Sequence, residues 1–223
     1  VNRPVRLRRF ETSTKWEGLS VSSNYVRIIR DNLDKLFAAQ PPDLDRTLPA
    51  RKKGRGYLFR AFGRDCFLHG AGILLGGREA EGPEAVMLSL YALHARPEPC
   101  LVEPFRAFKD LPGSTPYAGA FGTHSEKILV PHVHRIEGAK EKVATVLGGG
   151  AAPSPTPADF SLLVYPLPKI ALCYVFYRAD DEFPPSATCL FSYNASVFLP
   201  TDALADVGEY TSKAILSLLP SGP

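Results

Sequence analysis

Apolar residues recur every three or four positions along SSNYVRIIRDNLDKLFAAQPP, residues 22–42. Tyr25, Ile29, Leu33, Leu36 and Phe37 fall on one face, which predicts an amphipathic helix. Ser23 or Asn24 can cap its start, and Pro41 and Pro42 end it. Residues 56–77 (GYLFRAFGRDCFLHGAGILLGG) change period and read as two short strands about the FGRD turn. GPEAVMLSLYALHAR (82–96) returns to helix, with Pro83 at its first position and Glu84 in its first turn. Thr123 and Glu126 have the spacing of a capping box for a third helix, which Pro131 and Gly138 interrupt and the glycines at 148–150 close.

Toward the end, residues 159–181 and 186–200 are rich in β-branched and aromatic residues and read as adjacent antiparallel strands. The turn between the last two is DDEFPPS (180–186). A final helix covers 200–219, with Thr201 expected as N-cap and Asp202 at the positive end of the dipole. Runs of helix and strand without regular βαβ alternation give an α+β fold: an antiparallel sheet packed by about four helices. Residues 1–22 lack periodicity and read as an extended basic arm, so the expected organisation is an arm (1–22) and a single α+β domain (23–223).

Composition narrows the class. Apolar residues make up 45% of the 223 positions and charged residues 22%, as in ordinary globular proteins. No apolar run reaches the roughly 20 residues of a membrane span. The N-terminal segment is basic but lacks the apolar stretch of a secretory signal. Cys66, Cys100, Cys173 and Cys189 form no CxxC pair, so they read as buried structural thiols of a cytoplasmic protein. Charge is uneven: residues 1–64 hold 15 Lys and Arg against 6 Asp and Glu, a net of +9, which leaves −6 for the remainder of a +3 chain. A basic first third can serve nucleic acid or an acidic partner. No RNP, GXXG or zinc-finger pattern accompanies it, which favours the protein partner.

Three sets of residues could carry chemistry. Asp180, Asp181 and Glu182 can offer oxygen ligands to a divalent cation, with Asp180 and Glu182 on the same side of an extended segment. The competing reading is an acid that caps the free N–H groups of a turn, with Pro184 and Pro185 fixing the exit. His132 and His134 would share a face on a strand and offer two imidazoles to a metal, but would diverge on a helix. Phe105, Phe108 and Tyr117, in the long proline-rich segment 97–122, join Tyr91 as aromatics suited to a cofactor pocket or a protein interface. Core packing is their other use. No GxSxG elbow and no phosphate-binding glycine motif occurs.

FYRADDEFPPSATCLFSYNASVFLPTDALADVGEY (176–210) resembles the C-terminal signature of domain-of-unknown-function family 3786, found mostly in anaerobic bacteria and archaea. The DEFP element is its specific part. EPFRAFKDLPGSTPYAGAF (103–121) and VATVLGG (143–149) are in keeping with it, and the likeness spans roughly 23–215. This chain carries Tyr91 where the family's middle helix has a histidine, so no axial-ligand role carries over to that position. The basic arm, the proline-rich aromatic segment, the charge asymmetry and the lack of a catalytic set read as a non-catalytic accessory protein or subunit of a larger assembly, and the resemblance, through the family's company of corrinoid and iron–sulfur enzymes, implies that this assembly contains a metallocofactor. The protein's contacts would be the 1–22 arm and the 97–122 loop. The alternatives are a protein that binds a small ligand or cofactor, corrinoid-like or other, and a metal-dependent enzyme that uses the acidic turn. The cofactor itself is left unknown.

Overall fold

The computed structural model describes residues 18–39, 43–152 and 158–220, with side chains from Asn24 onward. Its first helix, α1 (Gly18–Ala39), buries Ile29, Leu33 and Leu36, the face the periodicity predicted. It starts at Gly18, so residues 18–22 of the expected extended arm are helical. The rest of that arm, 1–17, lies outside the described residues, as does most of the connector at 153–157.

A short helix α2 (Leu44–Thr47) leads into a five-stranded antiparallel meander. Its strands are β1 (Arg51–Lys53), β2 (Gly56–Ala61), β3 (Arg64–His69), β4 (Gly72–Leu75) and β5 (Arg78–Glu79), paired in chain order. Alternate residues point inward: Phe59 and Ala61, Cys66 and Leu68, Ile73 and Leu75 are buried. This period of two is what a sheet with one covered face requires. Helix α3 (Pro83–Leu93) follows and is buried along most of its length, from Ala85 through Ser89 and again at Tyr91 and Ala92. It packs on α1, where the Asn32 side chain donates to the Ser89 hydroxyl at 2.9 Å, satisfying a buried amide.

The second sheet has four strands in the order β6-β9-β8-β7, all antiparallel. They are β6 (Arg106–Ala107), β7 (Phe160–Leu167), β8 (Ile170–Tyr177) and β9 (Ser186–Phe191). The expected fold thus holds, with two antiparallel sheets in place of one. β8 is buried from Ile170 to Phe176 because both of its faces are covered. Leu172, Tyr174 and Phe176 enter the main core. Ala171, Cys173 and Val175 join Leu163 on the other face, beneath Cys100, Val102 and Phe105 of the proline-rich segment. Between α3 and β7 lie α4 (Ala118–Phe121), a π-helical turn at Gly122–Lys127, and α5 (Val133–Val146). After β9 come α6 (Ala195–Phe198) and α7 (Thr201–Leu218), which packs on α3, α5 and the π-helical turn. No described helix is long and apolar enough to cross a membrane.

Two sequence expectations are revised locally. Glu126 does not close a capping box. Its Oε1 accepts the Cys189 N–H of β9 at 3.0 Å, while the Thr123 hydroxyl donates to the Gly119 carbonyl. A tertiary contact has taken the carboxylate that local pattern assigned to a helix start. Pro200, not Thr201, occupies the N-cap position of α7, and the Thr201 hydroxyl donates instead to the Pro112 carbonyl at 2.6 Å.

Candidate functional site

The acidic stretch closes the link from β8 to β9. Asp180, Asp181 and Glu182 are all exposed. Asp180 Oδ1 accepts the N–H groups of Glu182 at 2.9 Å and Phe183 at 2.6 Å, and the Asp180 N–H donates to the Phe183 carbonyl. This is an Asx turn: the side chain satisfies backbone donors that the strands have released. Phe183 stands out at 65% exposure. Just before the turn, Arg178 donates to Glu137 of α5 and, through its backbone N–H, to Asp159 at 2.6 Å, so the β8 end is tied to the helical layer.

His132 is half-buried at the last position of a 3₁₀ turn, and His134 is exposed in the first turn of α5. The local backbone is helical, so the shared strand face that a metal pair would use is not formed. His132 Nδ1 lies 3.4 Å from Arg135 Nη1, a cationic neighbour. Among the described residues, no three His, Cys, Asp or Glu side chains are grouped to hold a metal ion.

The aromatic set is placed chiefly by packing. Tyr91 is fully buried, its ring 6.2 Å from that of Phe59, and its hydroxyl accepts the backbone N–H of Lys169 at 3.0 Å. Burial pushes its ionisation up, so it stays a neutral phenol. Phe108 stacks on Phe121 at 4.2 Å and also meets Phe191. Tyr117 is half-buried against the same core, whereas Phe105 covers the outer face of the second sheet.

What sequence reasoning missed lies at the edge of that cover. Asn194, in the turn after β9, donates to the Pro99 carbonyl and accepts the Leu101 N–H at 2.8 Å. It therefore ties the 97–105 segment to the start of α6. Three large apolar residues adjoin Asn194 through the chain or a backbone hydrogen bond and are exposed: Leu101 at 46%, Tyr193 at 38% and Val197 at 41%. The Arg106 guanidinium lies 4.3 Å from the centre of the Tyr193 ring, a cation–π contact that holds the ring in place. Next to this surface sits Lys169, only 6% exposed, with its ammonium donating to the Arg96 carbonyl and lying over the Phe198 ring. Cys100, half-buried, contacts the Ser192 hydroxyl, and burial raises its thiol above the ordinary range. Cys66, Cys173 and Cys189 are buried thiols, as the strand-like runs implied, with Cys66 pushed up to about 12 by burial. No such signal is present in the sequence: Leu101 and Val197 stand in short apolar runs, 100–102 and 197–199, whose other members are buried or half-buried, and only the Asn194 tie brings the two segments together.

A cleft of about 390 Å³ opens elsewhere, between the β2–β3 turn, the start of α3, the end of α5 and α7. Phe62, Arg64, Glu84, Leu147, Tyr210 and Lys213 are among its walls. Glu84 accepts a hydrogen bond from Arg64, yet burial keeps its carboxyl above the usual range.

Compared with known protein families, residues 22–214 match one described as Domain of unknown function (DUF3786). Comparison with curated proteins and with solved structures gave no match.

Proposed function

The chain belongs to the DUF3786 family, and from that premise we propose that it is a non-catalytic accessory protein that docks on a larger protein assembly. The observation that carries this reading is the exposed apolar set of Leu101, Tyr193 and Val197, gathered about Asn194. Exposed apolar residues scattered singly are ordinary, whereas grouped ones mark interaction surfaces. Here the backbone is held by the Asn194 bonds to Pro99 and Leu101, and the Tyr193 ring by the Arg106 contact. A partner that covers these side chains gains apolar burial at little ordering cost, which is how pre-organised interfaces bind. The acidic turn is structural in this reading, since Asp180 uses its carboxylate on its own backbone. We place the protein in the cytoplasm and the partner among metallocofactor-containing assemblies, as the family resemblance implies.

The test is affinity purification of the tagged protein from its own source under anaerobic conditions, in parallel with a Leu101→Glu, Val197→Glu variant. A partner recovered at fixed stoichiometry with the wild type and lost with the variant supports the reading. Equal recovery with both, or no stoichiometric partner with either, contradicts it.

A second reading, a small-ligand binding protein, is favoured by the cleft beside Phe62 and Tyr210.

A further inference from the structure

We propose that the outer face of the five-stranded sheet binds a second copy of this chain, sheet on sheet, about a two-fold axis that runs along the strands. The inference goes beyond the docking reading and uses none of its residues, so either can fail alone. Register, surface shape and charge carry it.

The inner face of this sheet joins the core through Phe59, Ala61, Cys66, Leu68, Ile73 and Leu75. Residues at the alternate positions point the other way. Leu58 pairs with Phe67 and Phe67 with Leu74, so the three form one row across β2, β3 and β4. All three are half-buried, and none belongs to either hydrophobic core. Neighbours in such a row shield one another sideways, which leaves their upper surfaces for a partner. A solvated sheet face carries polar residues, and an apolar row in their place marks an interface.

The surface about this row is flat. A Cβ on Gly56 would lie 2.6 Å from the Phe67 ring, so the glycine lets the ring occupy the space above it. The ring also stacks with His69 at 5.3 Å and 27°. The next row is Lys53, Gly56, His69 and Gly72, with glycine on both sides of the imidazole. Sheet faces pack on one another about 10 Å apart with their strands near alignment. The edges of this sheet are closed to growth, because β1 is three exposed charged residues and β5 only Arg78 and Glu79. At about 24 Å across five strands and about 20 Å along β2, two such faces bury on the order of 1,000 Å² together, the low end for a specific complex. The dimer is therefore weak and forms reversibly.

Charge selects the partner and its orientation. The row of Leu58, Phe67 and Leu74 ends in Arg51, opposite Leu58, and in Glu79, opposite Leu74. Across the five strands the positions read cation, Leu, Phe, Leu, anion. Turned end for end over itself, the row sets Arg51 against Glu79 at both ends, leucine on leucine, and Phe67 on Phe67 at the axis. This is the self-complementary patch that a two-fold contact needs. An axis along the row would instead set Arg51 against Arg51. Within one chain the two charges stand about 19 Å apart, four strand spacings, too far to pair with each other. Among the described residues neither makes an ion pair. The Glu79 carboxylate leans over Gly72, 3.9 Å from the place of a Cβ there, which brings it toward the row that Lys53 begins. The face carries both signs of charge, with Arg60 paired to Asp65 beside the row, and so suits a copy of itself and not a polyanion.

Sedimentation equilibrium of the full chain over a wide concentration range tests this. The expected result is a reversible monomer–dimer equilibrium, abolished by Leu58→Glu with the circular dichroism spectrum unchanged. Arg51→Glu and Glu79→Arg, both at exposed positions, should each weaken dimerisation by about fivefold or more, because each sets like charges against one another at both ends. The double variant Arg51→Glu, Glu79→Arg exchanges the two ends and should restore it. A monomer at every concentration overturns the proposal, whether the face is bare or covered by another molecule. So does a dimer indifferent to Leu58→Glu, or a double variant as weak as the single ones. None of these outcomes bears on partner docking, which is read by stoichiometric co-purification.

Discussion

Asp180 shows how a residue that looks like a ligand can be spent on its own chain. Its Oδ1 accepts two backbone N–H groups, the task of an acceptor and not of a charge. Asn keeps that acceptor and Ala removes it. Asp180→Asn should therefore leave stability nearly unchanged, whereas Asp180→Ala should cost about 0.5–2 kcal/mol, as lost helix caps do. Chemical denaturation of the two variants checks this, and equal losses would mean that the charge itself matters. Asp206 behaves differently. Burial first, then Glu209 and Asp202, push its carboxyl up to about 7 from its ordinary 3.8, against the pull of Lys213. A raised acid keeps its proton in the folded state while the unfolded chain has already lost it. The native state then binds more protons between pH 3.8 and 7, and stability falls as pH rises through that window. Asp206→Asn should thus raise the melting temperature at pH 8 and lose its advantage near pH 4. Melting curves across that range decide the matter, and a gain independent of pH would refute the assignment.

At the scale of elements, periodic segments were legible and tertiary ones were not. The buried face of α1, the start of α3 and the last helix follow directly from spacing and capping residues, because these signals are local. The π-helical turn at Gly122–Lys127 does not follow from them. Its carboxylate, Glu126, answers to Cys189 in a strand 63 residues away, and no local pattern announces that. Its position is set by α7, which approaches it through Gly208. A Cβ there would meet Phe121 at 2.4 Å and the Ser125 hydroxyl at 3.2 Å. Phe121 is stacked on Phe108 and cannot yield freely. Gly208→Ala, which would favour an isolated helix, should destabilise this protein by about 1–3 kcal/mol, as overpacked cores do. A gain in stability on thermal melting would show that the contact relaxes at no cost. The same blindness to distance explains the site. Tyr91 and Phe108 read equally well as pocket walls and as core, and burial is what distinguishes the two uses.

For the molecule as a whole, the α+β class and the antiparallel pairing were legible, while the division into two sheets was not. The first sheet is a local meander, and its short outer strands at Arg51–Lys53 and Arg78–Glu79 carry too few residues to show a period. The second sheet needs Arg106–Ala107 to pair with β9, a contact across more than 80 residues. That pairing gives the proline-rich segment its role: residues 100–105 lie over the outer face of the sheet, and the Asn194 tie leaves Leu101 exposed at its edge. The central claim is that this edge, with Tyr193 and Val197, is where a partner sits. Hydrogen–deuterium exchange on the co-purified complex, compared with the free protein, tests it most directly. Docking here predicts slowed exchange in residues 99–106 and 193–198 and unchanged exchange at the acidic turn, 180–185. Slowing confined to that turn, or to the five-stranded sheet, would contradict the account.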